Sequence, residues 1–324
     1  MSKRNESLND LGIVSINLES LRYNYKVIKN DTTEFEIEFD NFSFNEKTYQ
    51  MKFMDYGYYI DKRSRLIKIF NENNVNANFI KSNSSGIINV NENDLIKIKI
   101  ILSDYSKNKT QINLNFFGGK DSLEFYYDDF SNFNCFVNKS EDFSFSKNGA
   151  YVKIKKNTFN SDTFLDIKYL KDTLHLINPK VYAFKAIEIS IPQKVKSKKQ
   201  SYVAYMDDKG KKAFATKINI DSKFKFKTNS LGKFYVDIDS VAPNIKSINR
   251  KNKISFEIKD DETGIKKYDV FVNGNWHLFE YEPKRNEIFC DHNSINIYGK
   301  EVELEVIVED LVGNKKTLIK KLAL

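Results

Sequence analysis

Apolar and polar residues alternate with a period of two along most of the chain. Phe35, Ile37 and Phe39 alternate with glutamates in the first such segment. Strands of this kind bury one face and leave the other in water, as in antiparallel sheets and sandwiches. The sequence therefore predicts an all-β protein. The same alternation recurs at 97–102, 224–226, 254–258 and 301–308.

One segment departs from this period. Six residues follow each other at helical spacing and predict a short amphipathic helix near Tyr58 to Ile69. Its tyrosines are expected to pack against the core rather than to carry function. The six positions are Tyr56, Tyr59, Ile60, Arg63, Ile67 and Phe70.

Turn residues separate the predicted strands. Asn273-Gly274 lies between two apolar runs and predicts a two-residue hairpin, because a type I′ turn needs positive φ at both central positions. Asp207–Gly210 marks a second turn. Asp104–Asn108 and Asp310–Asn314 share an Asp-x-x-x-Asn pattern, in which the aspartate can accept backbone N–H bonds. These turns support the all-β prediction.

The length of 324 residues suits two or three domains. Gly118-Gly119 follows one predicted strand, and Pro243 ends another. We therefore predict two or three β-sandwich domains in tandem, with boundaries at 1–118, 119–240 and 241–324.

The net charge of +8 comes mainly from lysines that alternate with apolar residues. This pattern is typical of solvated strand faces. A nucleic-acid-binding protein would show clustered arginines and exposed aromatics on a known module, so we predict no nucleic-acid partner. Two dense basic stretches, 194–199 and 315–321, fit either contact with an anionic envelope polymer or edge strands protected by lysine. The second interpretation is favoured.

The three histidines are isolated from one another in the sequence, which limits the kinds of catalytic and metal-binding site that the chain could form. His175, His277 and His292 lie in no H-x-H, H-E-x-x-H or Cys-x-x-Cys pattern, although most zinc and general acid/base sites use histidine. We predict no catalytic residue, no metal ligand and no cofactor, and we interpret the histidines as partly buried structural residues. Cys135 and Cys290 are expected to be two buried free thiols rather than a disulfide.

Two other features offer a functional alternative beside a structural one. Asp260, Asp261 and Glu262 could bind Ca²⁺ through oxygen ligands, but a turn before Gly264 explains them more simply. Trp276 could stack on a glycan from the surface, although core anchoring of the hairpin is favoured. Glutamates 34, 36 and 38 share one strand face, so they are expected to be solvated rather than a catalytic pair across a cleft.

The first ten residues have a basic start but no apolar core of a signal peptide. No later run approaches the roughly 18 apolar residues of a membrane span. We expect neither an export signal nor a membrane span in this chain.

Several short motifs follow one another along the chain: Gly12–Leu18, Asp40–Glu46, Asp55–Tyr59, Lys62–Arg65, Leu231–Tyr235, Asp239–Pro243, Ile245, Asp260–Ile265, Tyr268, Asn273–Trp276 and Asp310–Asn314. Together they resemble the C-terminal region of large lysostaphin-type zinc endopeptidases of Gram-negative bacteria. The last of these motifs resemble the terminal immunoglobulin-like module of that family. The resemblance spans nearly the whole chain and implies immunoglobulin-like sandwiches in tandem and a periplasmic or envelope setting.

The family binds its zinc through an H-x-x-x-D motif and an H-x-H motif. No position in this chain matches either motif, so no catalytic residue is carried over. The resemblance implies a non-catalytic accessory region that positions or docks a peptidase. Peptidoglycan would then be an indirect partner of this chain. The alternative is a stand-alone β-sandwich adhesion or binding module of the cell envelope.

The family also has one or two strands before the segment equivalent to Gly12–Leu18. A sandwich without them would expose an unpaired edge and an apolar face to another strand. We therefore expect Ile13, Ile16 and Leu18 to form a docking edge for a zinc peptidase domain encoded upstream. The other interpretation is that the open reading frame is a truncated relic.

Overall fold

The computed structural model describes residues 15–17, 24–29, 32–37, 51–71, 80–81, 84–104, 106–119, 133–193, 200–295 and 301–323. Regular structure in these ranges is mainly antiparallel strand, which confirms the all-β prediction. The chain divides into two compact units, each described by itself below. The first comprises 1–141, 156–164 and 178–185, and the second comprises 142–155, 165–177 and 186–324. The sequence-based boundaries at 118 and 240 remain a prediction.

The first unit contains a four-stranded antiparallel sheet with the order β3-β2-β5-β6 and a two-stranded ribbon of β1 and β4. Alternate strand residues such as Phe35, Ile37, Ile98 and Ile100 form its core. This arrangement confirms that the period-two alternation marks one buried face. The elements are β1 (Ser15–Asn17), β2 (Asn24–Lys29), β3 (Thr32–Ile37), α1 (Tyr56–Lys62), β4 (Leu66–Lys68), β5 (Leu95–Ser103), β6 (Lys109–Phe117) and β7 (Cys135–Val137).

Helix α1 is shorter than the sequence predicts. Asp55 caps its start by accepting the Tyr58 N–H at 2.8 Å. Arg63 ends it in a left-handed conformation with φ of 56°. The predicted continuation to Ile69 is wrong, because the next residues form β4, where Ile67 is buried and pairs with β1. The tyrosine stripe packs against the core as expected.

The strands of the second unit before residue 240 form two antiparallel sheets, with the orders β14-β13-β17-β11-β10 and β15-β16-β12-β9-β8. Phe226 of one sheet lies 5.4 Å from Phe234 of the other, measured between ring centres. The strands are β8 (Phe143–Lys147), β9 (Ala150–Ile154), β10 (Thr163–Leu170, which begins in the first unit), β11 (Thr173–Ile177), β12 (Ile187–Pro192), β13 (Ser201–Met206), β14 (Lys212–Thr216), β15 (Asn219–Ile220), β16 (Lys223–Thr228) and β17 (Gly232–Ile238).

The remaining strands form a sandwich of two four-stranded sheets, β18-β19-β23-β22 and β21-β20-β24-β25. Phe256 and Ile288 from one sheet share a core with Val306 and Val308 from the other. Burial raises the pKa of the Cys290 thiol in this core to about 11. Cys135 is half-buried rather than buried, and neither cysteine forms a disulfide. The strands are β18 (Asn244–Arg250), β19 (Lys253–Lys259), β20 (Ile265–Val272), β21 (Asn275–Trp276), β22 (Glu280–Glu282), β23 (Glu287–Asp291), β24 (Glu301–Asp310) and β25 (Lys315–Ala323).

The predicted turns are confirmed. Asn273 and Gly274 both have positive φ, 49° and 80°, as a type I′ hairpin requires. In the Asp104–Asn108 turn the aspartate accepts the Asn108 N–H at 2.9 Å, and Asp310 accepts the Asn314 N–H at 2.8 Å. Residues 315–321 lie on β25, an edge strand of its sheet, as the edge-lysine interpretation expects. Residues 194–199 lie outside the described ranges.

Candidate functional site

The three histidines lie in separate places. His175 is on β11, His277 follows β21, and His292 begins a 3-10 turn, His292–Ser294. All three are half-buried, as the structural interpretation expects. Burial, and then the charge of Lys233, lowers the pKa of His175. Among the described residues, the one group of metal-ligating side chains close enough to share an ion contains no histidine.

That group consists of Asp239, Asp260 and Asp310, whose oxygen atoms lie within 4.8 Å of one another. We call it the aspartate cluster. Asp239 and Asp310 are 1% and 0% exposed. The Oδ1 atom of Asp239 accepts the Val241 N–H at 3.0 Å, and its Oδ2 accepts the Thr263 hydroxyl at 2.9 Å. The cluster therefore joins the end of β17 to two loops of the last sandwich.

Asp310 is the most heavily bonded member of the cluster. Its Oδ1 accepts the N–H groups of Val312, Gly313 and Asn314 at 2.6–2.9 Å, and its Oδ2 accepts the Asn314 side-chain amide at 2.7 Å. The same amide also donates to the Asp239 carbonyl at 2.9 Å. One aspartate thus organises the whole turn between β24 and β25.

The three acidic side chains at 260–262 each interact with a different partner. Asp260 Oδ1 accepts the N–H groups of residues 262, 263 and 264, which confirms the predicted turn before Gly264. Asp261 pairs with Lys259. Glu262 accepts from Lys212 at 2.8 Å. The three neighbours do not converge on one point, so the structure does not support calcium binding by this run.

Carboxylate oxygens such as those of the aspartate cluster suit a hard cation. However, hydrogen bonds from the chain itself already reach both oxygens of Asp239, both of Asp310 and one of Asp260. We therefore assign the aspartate cluster a structural role, in which it connects the end of β17 to two loops of the last sandwich. Sequence reasoning missed it because its members are far apart along the chain.

Burial, and then the charges of Asp260 and Asp310, raises the pKa of Asp239. A raised carboxyl pKa in the folded state means that lowering the pH from 7 towards the unfolded value stabilises the fold through this group. We expect Asp239→Asn to remove this contribution, so that wild type gains stability over the variant as the pH falls. Urea unfolding of both proteins at about pH 7 and about pH 4.5 measures the difference. If the unfolding free energies of wild type and Asp239→Asn change by the same amount between the two pH values, the expectation is contradicted.

The outer face of the β21-β20-β24-β25 sheet carries a row of three apolar side chains and one carboxylate, of which the two end members are exposed. Phe271 of β20 pairs with Trp276 of β21 on one side and with Glu305 of β24 on the other. Glu305 in turn pairs with Ile319 of β25. Trp276 is 59% exposed and Ile319 is 60% exposed. We call these four residues the Trp276 face. Their neighbours along the strands, such as Val270 and Val306, point into the core.

The Trp276 face overturns one expectation. Core anchoring by Trp276 is wrong, because the hairpin register gives the tryptophan the solvent side of the sheet together with Phe271. The indole of Trp276 can stack on the apolar face of a ligand ring, and the Glu305 carboxylate, two strands away, can accept hydrogen bonds from hydroxyl groups. Exposed aromatic and apolar side chains grouped in this way are typical of a binding surface.

The predicted docking edge is described only at one residue. Ile16 lies in β1, where it pairs with Ile67 of β4. Ile13 and Leu18 lie outside the described residues. The docking edge therefore stays a prediction.

No family model matches the chain, and no curated protein matches it. Nine solved chains do match. One is the spore cortex lytic enzyme SleM of Clostridium perfringens, with 20% identity, a TM-score of 0.22 and coverage of 34% of this chain and 37% of that one. Another is SGBP-B of the Bacteroides ovatus mixed-linkage glucan utilization locus, solved with a mixed-linkage heptasaccharide. It shows 10% identity, a TM-score of 0.15 and coverage of 96% and 63%.

The chain thus spans 37% and 63% of the lengths of these two proteins. Within the described part of the chain, no helix combines the length and the apolar character that a membrane crossing needs.

Proposed function

We propose that this chain is a non-catalytic glycan-binding protein of the cell envelope that uses the Trp276 face to hold peptidoglycan. In this proposal it keeps a separately encoded zinc peptidase close to the peptide cross-links. The peptidoglycan and the peptidase come from the resemblance to the accessory region of lysostaphin-type endopeptidases. The geometry of the Trp276 face supports the glycan-binding part of the proposal.

One observation carries the proposal: the single tryptophan of the chain is 59% exposed on a regular sheet, beside a second aromatic ring. Exposing a ring of this size to water is unfavourable, and an exposed row of apolar side chains is typical of a binding surface. One sugar ring of a glycan offers its apolar face to the indole, and hydroxyl groups further along the glycan can donate hydrogen bonds to Glu305, two strands away. The sheet holds both side chains in place before the ligand arrives.

The single tryptophan also provides the test. We expect the fluorescence of Trp276 to change when the full chain is titrated with soluble glycan fragments from muramidase-digested peptidoglycan. Trp276→Ala should weaken co-sedimentation with purified sacculi by about tenfold, which corresponds to about 1.4 kcal/mol. Leu170→Ala removes an exposed apolar side chain from β10 and should leave sedimentation unchanged.

Equal sedimentation of wild type and Trp276→Ala would overturn the assignment of the surface. The peptidase part needs a separate measurement, a pull-down between the chain and the zinc peptidase encoded upstream. Binding to sacculi without binding to that peptidase would favour the alternative, a stand-alone binding module.

A further inference from the structure

A second surface, which is rich in charged residues, lies on another sheet of the same unit. On the outer face of β16, Lys223, Lys225 and Lys227 occupy alternate positions, and Phe224 between the first two is buried. Lys153 of β9 and Lys155 just after it lie on the same face, beyond Glu188 and Ser190 of β12. We call this surface the lysine face. It consists of Tyr151, Lys153, Lys155, Glu188, Ser190, Lys223, Lys225 and Lys227.

The carboxylates around the lysine face do not balance its five lysines. Glu188 Oε1 lies 3.3 Å from the Nζ atoms of both Lys155 and Lys227. Lys153 and Lys225 reach one aspartate each, at 3.8 and 3.7 Å. The face therefore carries an excess of positive charge. The side chains of Lys225 and Lys227 are 46% and 67% exposed, so both can reach a ligand.

The centre of the face is a depression of about 600 Å³ whose polar lining comprises Tyr151, Glu188, Ser190, the lysines of β16 and the carboxylate of Asp221, which pairs with Lys225. The register places Ser190 directly between Tyr151 and Lys225. Ser190 is 8% exposed, and its hydroxyl oxygen has no hydrogen-bond partner. A buried hydroxyl without a partner is unfavourable and calls for an explanation, such as a ligand.

A bound carboxylate would supply that missing partner. An oxygen held by the Lys225 ammonium, once the lysine stem moves aside, lies next to the Ser190 hydroxyl and can accept its hydrogen bond. Alternate lysines on one strand are about 7 Å apart. Neighbouring ammonium groups therefore reach successive charges of an extended polymer rather than one small ion.

We propose that the lysine face binds an acidic polysaccharide, a linear glycan with carboxylates on its repeating units. Lys225 and Ser190 bind one carboxylate, Tyr151 packs against a sugar ring, and Lys223 and Lys227 bind along the chain. A single-stranded nucleic acid fits less well, because stacking platforms for bases use several aromatics and this face has one. This inference goes beyond the proposed function, since it uses a different sheet and a different chemistry.

The test measures fluorescence anisotropy of an end-labelled oligogalacturonate with the full chain in about 50 mM and about 200 mM salt. We expect binding that weakens with salt. Lys225→Glu should lower the association constant about tenfold. Lys251→Glu makes the same charge change in the exposed turn between β18 and β19, and should change it by less than about twofold. Lys225→Gln provides a milder variant if the charge reversal unfolds the sheet.

Ser190→Ala tests the hydroxyl separately and should weaken binding about threefold to tenfold. No change with Ser190→Ala would exclude the serine from the site. The proposal is overturned if oligogalacturonate does not bind, if neutral dextran binds equally, if oligo-dT binds more tightly, or if Lys225→Glu and Lys251→Glu lose equal affinity. Trp276→Ala should retain oligogalacturonate binding, so failure of either proposal is distinguishable from failure of the other.

Discussion

Asp310→Ala is expected to lower the free energy of unfolding of the C-terminal sandwich by about 3–4 kcal/mol. The substitution removes a fully buried acceptor of four hydrogen bonds, three of them from backbone N–H groups. The buried Val312 N–H then has no partner. Urea unfolding followed by the fluorescence of Trp276 reports on this sandwich specifically, because the chain has no other tryptophan.

Two variants separate the hydrogen bonds from the charge. Asp310→Asn keeps an oxygen for the three N–H groups and removes the like charge beside Asp239 and Asp260, so its loss should be smaller. Asp104→Ala removes the equivalent aspartate from the exposed turn between β5 and β6, and should also destabilise less. A loss with Asp310→Asn as large as with Asp310→Ala would show that the charge, not the turn geometry, stabilises this region.

Local patterns predicted most of the strands and turns. Alternation identified Val302–Val308 as a strand with one buried face, and the structure buries all four of its valine and leucine positions. The Asp-x-x-x-Asn pattern predicted the hydrogen bonds of Asp310, because an aspartate needs only its own next four residues to make them. Such features depend on neighbours in the chain.

The exposure of Trp276 could also have been derived. A two-residue turn at Asn273-Gly274 pairs Phe271 with Trp276, and Phe271 alternates with the apolar core residues Val270 and Val272. The tryptophan must then face solvent with Phe271. Residue type alone favoured the core, and strand register decides against it.

Other features depend on contacts that a single sequence does not display. Ile67 fits helical spacing, but it pairs with β1 and is buried in a strand, so tertiary packing overrides the local period. The aspartate cluster forms only when β17 and two distant turns meet. The lysine face could not be predicted for the same reason, because Tyr151, Ser190 and Lys225 become neighbours only through the order of the strands in the sheet.

Gly232→Ala is expected to destabilise the second unit by about 2–3 kcal/mol, because it overpacks a closed interior site. A Cβ atom at this position would lie 2.5 Å from the Met206 carbonyl oxygen and 2.6 Å from the Tyr205 ring. The ring cannot move freely, since its hydroxyl donates to the Leu231 carbonyl at 3.1 Å and its face packs against Phe234. Urea unfolding by circular dichroism, with amide exchange in β13 and β17, measures the loss.

Gly119→Ala is the control, because no residue within the described ranges comes within 4 Å of an added Cβ atom there. It should leave stability nearly unchanged. Tyr205→Leu in the Gly232→Ala background should recover part of the loss, because the smaller side chain no longer meets the new methyl group, whereas the contact with the Met206 carbonyl persists. Strict additivity of the two substitutions would show that the ring is not the obstacle, and that the carbonyl alone makes glycine necessary at this position.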